Sequence, residues 1–216
     1  VTPGRRAREG VSLSSVYPPR HGSGNVPGRR ILKEVGITHV SVVKEQELPD
    51  PNFSTRKVPN PEDPSAFTLA MKLADEVGAD VIFGTDPDCD RVAVAVPVEG
   101  GFRKLSGNEL GCLLLDYILG TMQKAGTLPA DPVAVRSIVS TPMADKIAAS
   151  YGVKMRRVPT GLKYTGGEIP ALEQKHEENR CVSGLAESFG TPTGTYARDT
   201  DAVVPPMSTF TLAAPH

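Results

Sequence analysis

DVIFGTDPDCDRVAVAV, residues 80–96, decides how the rest of the chain is read. A short apolar run, Val81–Gly84, has the composition of a buried strand. Aspartates then occupy every second position, Asp86, Asp88 and Asp90, and Arg91 follows. A second apolar run, Val92–Val98, begins at once, so the carboxylates are confined to a tight loop between two strands. Three carboxylates this close repel one another unless a positive charge sits among them. Oxygen-only donors suit a hard divalent cation, Mg2+ or Ca2+, and three of them against such an ion leave a net charge of about −1. Arg91 adds a planar fork that matches phosphate. An EF-hand also starts D-x-D-x-D, but it needs glycine at loop position 6 and glutamate at position 12. Arg91 and Pro97 stand there, which excludes it. An aspartyl-phosphate phosphatase, with Asp86 or Asp88 as nucleophile, fits less well, because the third aspartate and the arginine have no part in it.

Outward from this loop, strand and helix patterns alternate. SLSSVY (12–17) and HVSVVKE (39–45) read as strands, and PGRRILKEVG (27–36) between them as a helix. Residues 48–64 carry five prolines and read as an ordered crossing loop. SAFTLAMKLADEVGA (65–79) is amphipathic at helical spacing, with Ser65 as its expected N-cap and Gly78 as its C-cap. EGGF (99–102) reads as a hairpin turn, and a long helix is expected from Gly107. VAVRSIV (133–139) is an expected buried strand. TPMADKIAASYG (141–152) is a helix capped by Thr141, and VKMRRVP (153–159) a further strand. GGEIPALEQKHEEN (166–179) reads as a helix and RCVSG (180–184) as the last clear strand. The expected fold is α/β: two tandem α/β/α sandwich domains with mixed, mainly parallel sheets, residues 1–105 and 106–216. Ligand sites in such sheets lie beyond the carboxyl ends of strands, where the aspartate loop falls.

Composition narrows the class. The 216 residues are 39% apolar and 23% charged, with a net charge of −1. Such a balance gives no nucleic-acid footprint and no polybasic membrane patch. No apolar run approaches the ~20 residues of a membrane span, and the polar start VTPGRRAREG has no signal-peptide core. Three cysteines, Cys89, Cys112 and Cys181, form no C-x-x-C pair and read as reduced thiols of a cytoplasmic protein.

Seven segments in order closely resemble the α-D-phosphohexomutase family of phosphoglucomutases and phosphomannomutases, nearest to its bacterial phosphoglucomutase/phosphopentomutase branch. TDPDCDR (85–91) resembles the metal loop, and HGSGN (21–25) the H-G-x-G segment. The others are EQELPDPNFSTRKVPNPEDPSAF (45–67), LSGNELGCLLLDYIL (105–119), PTGLKYTG (159–166), GLAESFG (184–190) and ARDTDAV (197–203). The resemblance implies a magnesium-dependent isomerase of carbohydrate metabolism. Sugar 1-phosphates and 6-phosphates, or pentose 1- and 5-phosphates, would interconvert through a phosphoserine and a sugar bisphosphate such as glucose 1,6-bisphosphate.

By position, Asp86, Asp88 and Asp90 would hold Mg2+, and Arg91 would contact the phosphoserine region. Lys163 would face substrate, and Gly184, Glu187, Ser188 and Arg198 would line the sugar site. A metal, an arginine and a lysine converging on one phosphate suit phosphoryl transfer, which is mostly positioning and charge neutralisation. The serine loop T-A-S-H-N-P and the phosphate loop R-P-S-G-T of the family are absent from the sequence. The chain therefore reads as the second and third of four domains, inactive alone, and the match fades after Val203. Ala186 stands where the sugar loop usually has its first glutamate. AESFG (186–190) superficially matches a nucleophile elbow, but Asp199 follows Ser188 too closely for a hydrolase triad. His21 reads as a turn histidine bonded to backbone or lining the cleft, and His39 and His176 as surface residues.

Overall fold

The structure, a computed structural model, describes residues 13–34, 36–55, 64–161, 163–164, 167, 174, 180–185 and 202. It divides into two compact units. The first runs to Leu105 and takes in Ala202; the second starts at Ser106.

In the first unit, β1 (Ser14–Tyr17) leads through α1 (Asn25–Glu34) to β2 (His39–Val42). A crossing segment and α2 (Thr68–Val77) bring the chain to β3 (Val81–Thr85), then β4 (Val92–Val98) and β5 (Gly101–Lys104). The sheet order is β2-β1-β3-β4-β5. β1 pairs in parallel with β2 and β3, while β3–β4 and β4–β5 are antiparallel, so the sheet is mixed as expected. β3 and the first four residues of β4 are buried throughout. Val92-Ala93-Val94-Ala95 alternates large and small rather than apolar and polar, which is what a strand covered on both faces needs. Tyr17 and Phe83 stack at 4.8 Å in the core, where burial pushes the tyrosine phenol up.

Two expected boundaries move. Residues 64–67 form a 3-10 turn, and α2 starts at Thr68 with Phe67 at its N-cap, not Ser65. Gly78 does close α2, at φ 61, donating to the Ala74 carbonyl. α1 begins at Asn25, two residues earlier than expected. Residues 56–63 of the proline-rich crossing lie outside the described ones.

The second unit opens on α3 (Gly107–Lys124). Ser106 and Glu109 form a reciprocal capping box, Ser106 Oγ accepting from the Glu109 N–H and the Glu109 carboxylate accepting from the Ser106 N–H. β6 (Val133–Ser137), α4 (Met143–Ser150), β7 (Lys154–Val158) and β8 (Cys181–Leu185) follow. The sheet order is β7-β6-β8, all parallel. Leu115, Leu119, Ala134, Ala144, Ala148, Val153, Val182 and Leu185 form the core between α3, α4 and this sheet. β6 stops at Ser137, two residues short of the apolar run; Ile138 and Val139 are exposed. Pro142 holds the α4 N-cap position rather than Thr141, whose hydroxyl accepts the Met143 N–H at 3.3 Å. The expected helix over 166–179 lies outside the described residues apart from Gly167 and Gln174. Cys89, Cys112 and Cys181 are free thiols. Among the described residues, no helix is long and apolar enough to cross a membrane.

Candidate metal centre

β3 delivers the chain to the loop at the carboxyl end of a buried strand. The Asp86 N–H donates to the Arg91 carbonyl at 3.2 Å, and the Cys89 N–H to the Asp86 carbonyl at 3.1 Å. These two bonds close the loop on itself. One oxygen each from Asp86, Asp88 and Asp90 lies within 4.8 Å of the others. Their burial is graded: Asp86 is fully buried, Asp90 intermediate and Asp88 exposed. The cluster therefore opens to solvent on the Asp88 side.

Asp86 is held from both oxygens by one residue. The Arg91 N–H donates to Oδ1 at 3.0 Å and Arg91 Nε to Oδ2 at 2.6 Å. The same Nε stands 3.4 Å from Asp90 Oδ1. Three negative charges thus face one guanidinium, a surplus of two. Asp90 bears the strain. Burial, then the carboxylates of Asp86 and Asp88, push its carboxyl up to about 6, and Arg91 only partly offsets them. Its Oδ1 is a buried acceptor with no hydrogen bond.

These observations fit a hard divalent cation. Two oxygens on opposite sides of a Mg2+, each at about 2.1 Å, stand about 4.2 Å apart, within side-chain rotation of the spacing found. An ion of charge +2 would cancel the surplus and give the Asp90 oxygen, which now has only the ion pair with Arg91, a direct ligand bond.

The other expected site residues distribute as follows. Lys163 is exposed, its Nζ 4.8 Å from the Tyr164 ring centre. Gly184 is buried inside β8, opposite Val135 of β6. Glu187, Ser188 and Arg198 lie outside the described residues, as does His176. His21 is a buried turn histidine: Nδ1 donates to the Leu48 carbonyl at 2.9 Å, and Nε2 meets Thr55 Oγ1 at 2.8 Å. His39 is exposed.

Sequence reasoning missed a second charged cluster at the carboxyl end of β6. Arg136, nearly fully buried, donates Nε and Nη2 to the two oxygens of Asp145 at 2.8 and 2.9 Å. Its Nη1 donates to the carbonyls of Ser137 and Ser140, both at 2.9 Å. Arg157 adds a third donor to Asp145 at 2.7 Å. The signal was present: an arginine inside the apolar run VAVRSIV needs a buried partner.

Comparison with known proteins agrees with this architecture. Residues 5–100 match the model of phosphoglucomutase/phosphomannomutase alpha/beta/alpha domain II, and residues 106–216 that of domain III. The chain belongs to the phosphoglucomutase/phosphomannomutase family. It is 37% identical to a phosphomannomutase of Mycoplasmoides pirum over 90% of its own length and 34% of that protein. It is 33% identical to a phosphoglucomutase of Staphylococcus aureus strain N315 over 88% of its length, again 34% of the relative. The chain thus spans about a third of the curated relatives it matches. Among solved structures, the fold is shared with the N-acetylphosphoglucosamine mutase of Aspergillus fumigatus in complex with GlcNAc-6P and magnesium. The TM-score is 0.61 at 14% identity, covering 97% of this chain and 45% of that one. A variant of the same fungal mutase was solved with glucose 1,6-bisphosphate.

Proposed function

We propose that this chain supplies the metal-binding and sugar-binding domains, residues 1–105 and 106–216, of a cytoplasmic phosphohexomutase. Its reaction would interconvert a sugar 1-phosphate and the 6-phosphate, or pentose 1- and 5-phosphates, with glucose or pentose preferred and mannose as the alternative. The observation that carries the reading is the convergence of Asp86, Asp88 and Asp90 on one point at the end of β3, with a charge surplus that calls for a cation. Bound there, Mg2+ would supply charge neutralisation for a transferring phosphoryl group.

The chain's own residues divide the remaining work. Arg91 fixes Asp86 through two hydrogen bonds, and its planar fork is proposed to contact an approaching phosphate. Lys163, which is exposed, offers a point charge to the substrate. Gly184, Glu187, Ser188 and Arg198 are proposed to contact the sugar, with Glu187 and Ser188 matching hydroxyl donors and acceptors. The phosphoryl-carrying serine is assigned to sequence outside residues 1–216, since no T-A-S-H-N-P loop occurs within them. The chain alone is accordingly expected to bind Mg2+ and sugar phosphate without turning it over.

Calorimetric titration with Mg2+, followed by phosphorus NMR with glucose 1-phosphate, Mg2+ and glucose 1,6-bisphosphate, tests both halves. Mg2+ binding without interconversion supports the reading. Interconversion by the isolated chain would refute the assignment of the donor elsewhere. No Mg2+ binding at millimolar concentration would remove its basis.

A further inference from the structure

The three aspartates occupy positions 86, 88 and 90; the two residues between them are gripped from behind. The Pro87 carbonyl accepts the Ser23 N–H at 2.8 Å and the Ser23 hydroxyl at 3.1 Å. Gly22 runs so close to Pro87 that a Cβ on it would lie 2.4 Å from Pro87 Cα and 2.5 Å from its carbonyl oxygen. Both are backbone atoms, so no side-chain rotation relieves the clash. Cys89 is held on two sides. A Cβ on Gly24 would meet its Sγ at 2.9 Å, and its carbonyl accepts the N–H of buried Ala202 at 3.0 Å. Cys89 itself sits at φ 66, a left-handed conformation that a non-glycine residue holds only when its surroundings impose it.

The gripping turn is fixed in its own right. Arg20 and His21 also have left-handed backbones, at φ 55 and 61. The buried Arg20 guanidinium lies over the Phe67 ring at 4.6 Å, and the His21 N–H donates to the Gln46 carbonyl at 2.8 Å. The two ring nitrogens of His21 tie it to Leu48 and Thr55.

We propose that the His21–Gly24 turn and Ala202 are positioning residues for the metal loop. Their hydrogen bonds to the loop reach the Pro87 and Cys89 carbonyls rather than the three carboxylates. They fix the backbone of Pro87 and Cys89, and alternation along the loop then decides where Asp86, Asp88 and Asp90 point. Left to themselves, three like charges would swing apart; a loop anchored at its non-ligand positions keeps them converged before the ion arrives. The assignment rests on the reading of the aspartates as a cation site.

Calorimetric Mg2+ titration of the 216-residue chain tests it, with circular dichroism and thermal unfolding on each variant. Outer-shell partners of a metal ligand set typically tune affinity by about 10–100-fold, and Gly22→Ala is expected to weaken Mg2+ binding by about tenfold or more. Ser23→Ala, at an exposed position that leaves the fold intact, is expected to weaken it by about two- to fivefold, and Ser23→Thr to restore it. Gly78→Ala, which strains a helix cap before the start of β3 while Pro87 lies beyond its carboxyl end, leaves affinity unchanged, so general destabilisation is separated from positioning. Wild-type affinity in folded Gly22→Ala and Ser23→Ala, while Asp88→Asn loses binding, overturns the brace and spares the metal reading. If Gly22→Ala does not fold, Ser23→Ala decides alone. Wild-type affinity in Asp88→Asn as well overturns the metal reading and the brace together.

Discussion

The carboxyl ends of β3 and β6 carry two arginine–aspartate clusters with opposite balances. After β3, three aspartates share Arg91, and Asp90 is pushed up to about 6. After β6, Arg136 and Arg157 share Asp145, and its carboxyl is pulled down to about 2 by their hydrogen bonds and charge. In the first cluster a carboxylate oxygen is buried without a hydrogen bond; in the second both Asp145 oxygens are bonded. The same two residue types therefore make a cluster with surplus negative charge in one unit and a fully bonded structural joint in the other. What separates them is the sign of the surplus charge, not the presence of ion pairs.

The sharpest way to break this contrast is Asp145→Asn. It leaves the buried Arg136 charge without its counterion, and a loss of about 2–4 kcal/mol is expected. Urea unfolding measures it, with Mg2+ affinity unchanged; a loss below about 0.5 kcal/mol would mean that the joint is not structural. Asp88→Asn should do the reverse. With one ligand charge gone, Mg2+ affinity falls by about tenfold or more, about 1.4 kcal/mol, while stability without metal holds or rises as repulsion is relieved.

Acidity sharpens the same comparison. Asp145 has a folded-state value of about 2, below its ordinary value of about 3.9. Its stabilisation is complete above about pH 4 and is lost as pH falls toward 2, about 1–2 kcal/mol that Asp145→Asn should no longer show. Asp90 is shifted the other way, so without metal the first unit should lose stability as pH rises from about 4 to about 6. Partial exposure screens that effect to about 1 kcal/mol at most, and Asp90→Asn should abolish the slope in a pH series of melting curves. The smallest effect is Gly78→Ala, about 1 kcal/mol from a left-handed cap at φ 61, and melting temperature is its measure.

Much of the fold was legible because its signals are local. VIFGT and VAVAV read as buried strands from their own side chains, and Gly78 read as a cap because only its neighbours in the helix matter. The failures came where a distant group intervened. Ile138 and Val139 look like the end of a strand, but Arg136 Nη1 gathers the Ser137 and Ser140 carbonyls and turns the chain first. Ser65 looks like a cap, yet residues 64–67 wind as a 3-10 turn before α2 begins. The aspartate triad was legible as a candidate cation site because its charges are contiguous. The clamp on Pro87 and Cys89 was not, since its members are 64 to 113 residues apart in the chain.

The sequence by itself determined the alternating α/β order, the placement of three carboxylates at every second position, and the family to which the chain belongs. The first two follow from side-chain period and composition, which need no knowledge of distant residues; the family follows from the resemblance of its ordered motifs and the match to the two domain models. Only the tertiary structure decided which charges are matched and which are left over. It brought Arg91 back onto Asp86, joined Arg136 to Asp145 and Arg157, and set Gly22 against Pro87. Electrostatic balance depends on distances of a few ångströms between groups, and those distances exist only once the chain has folded.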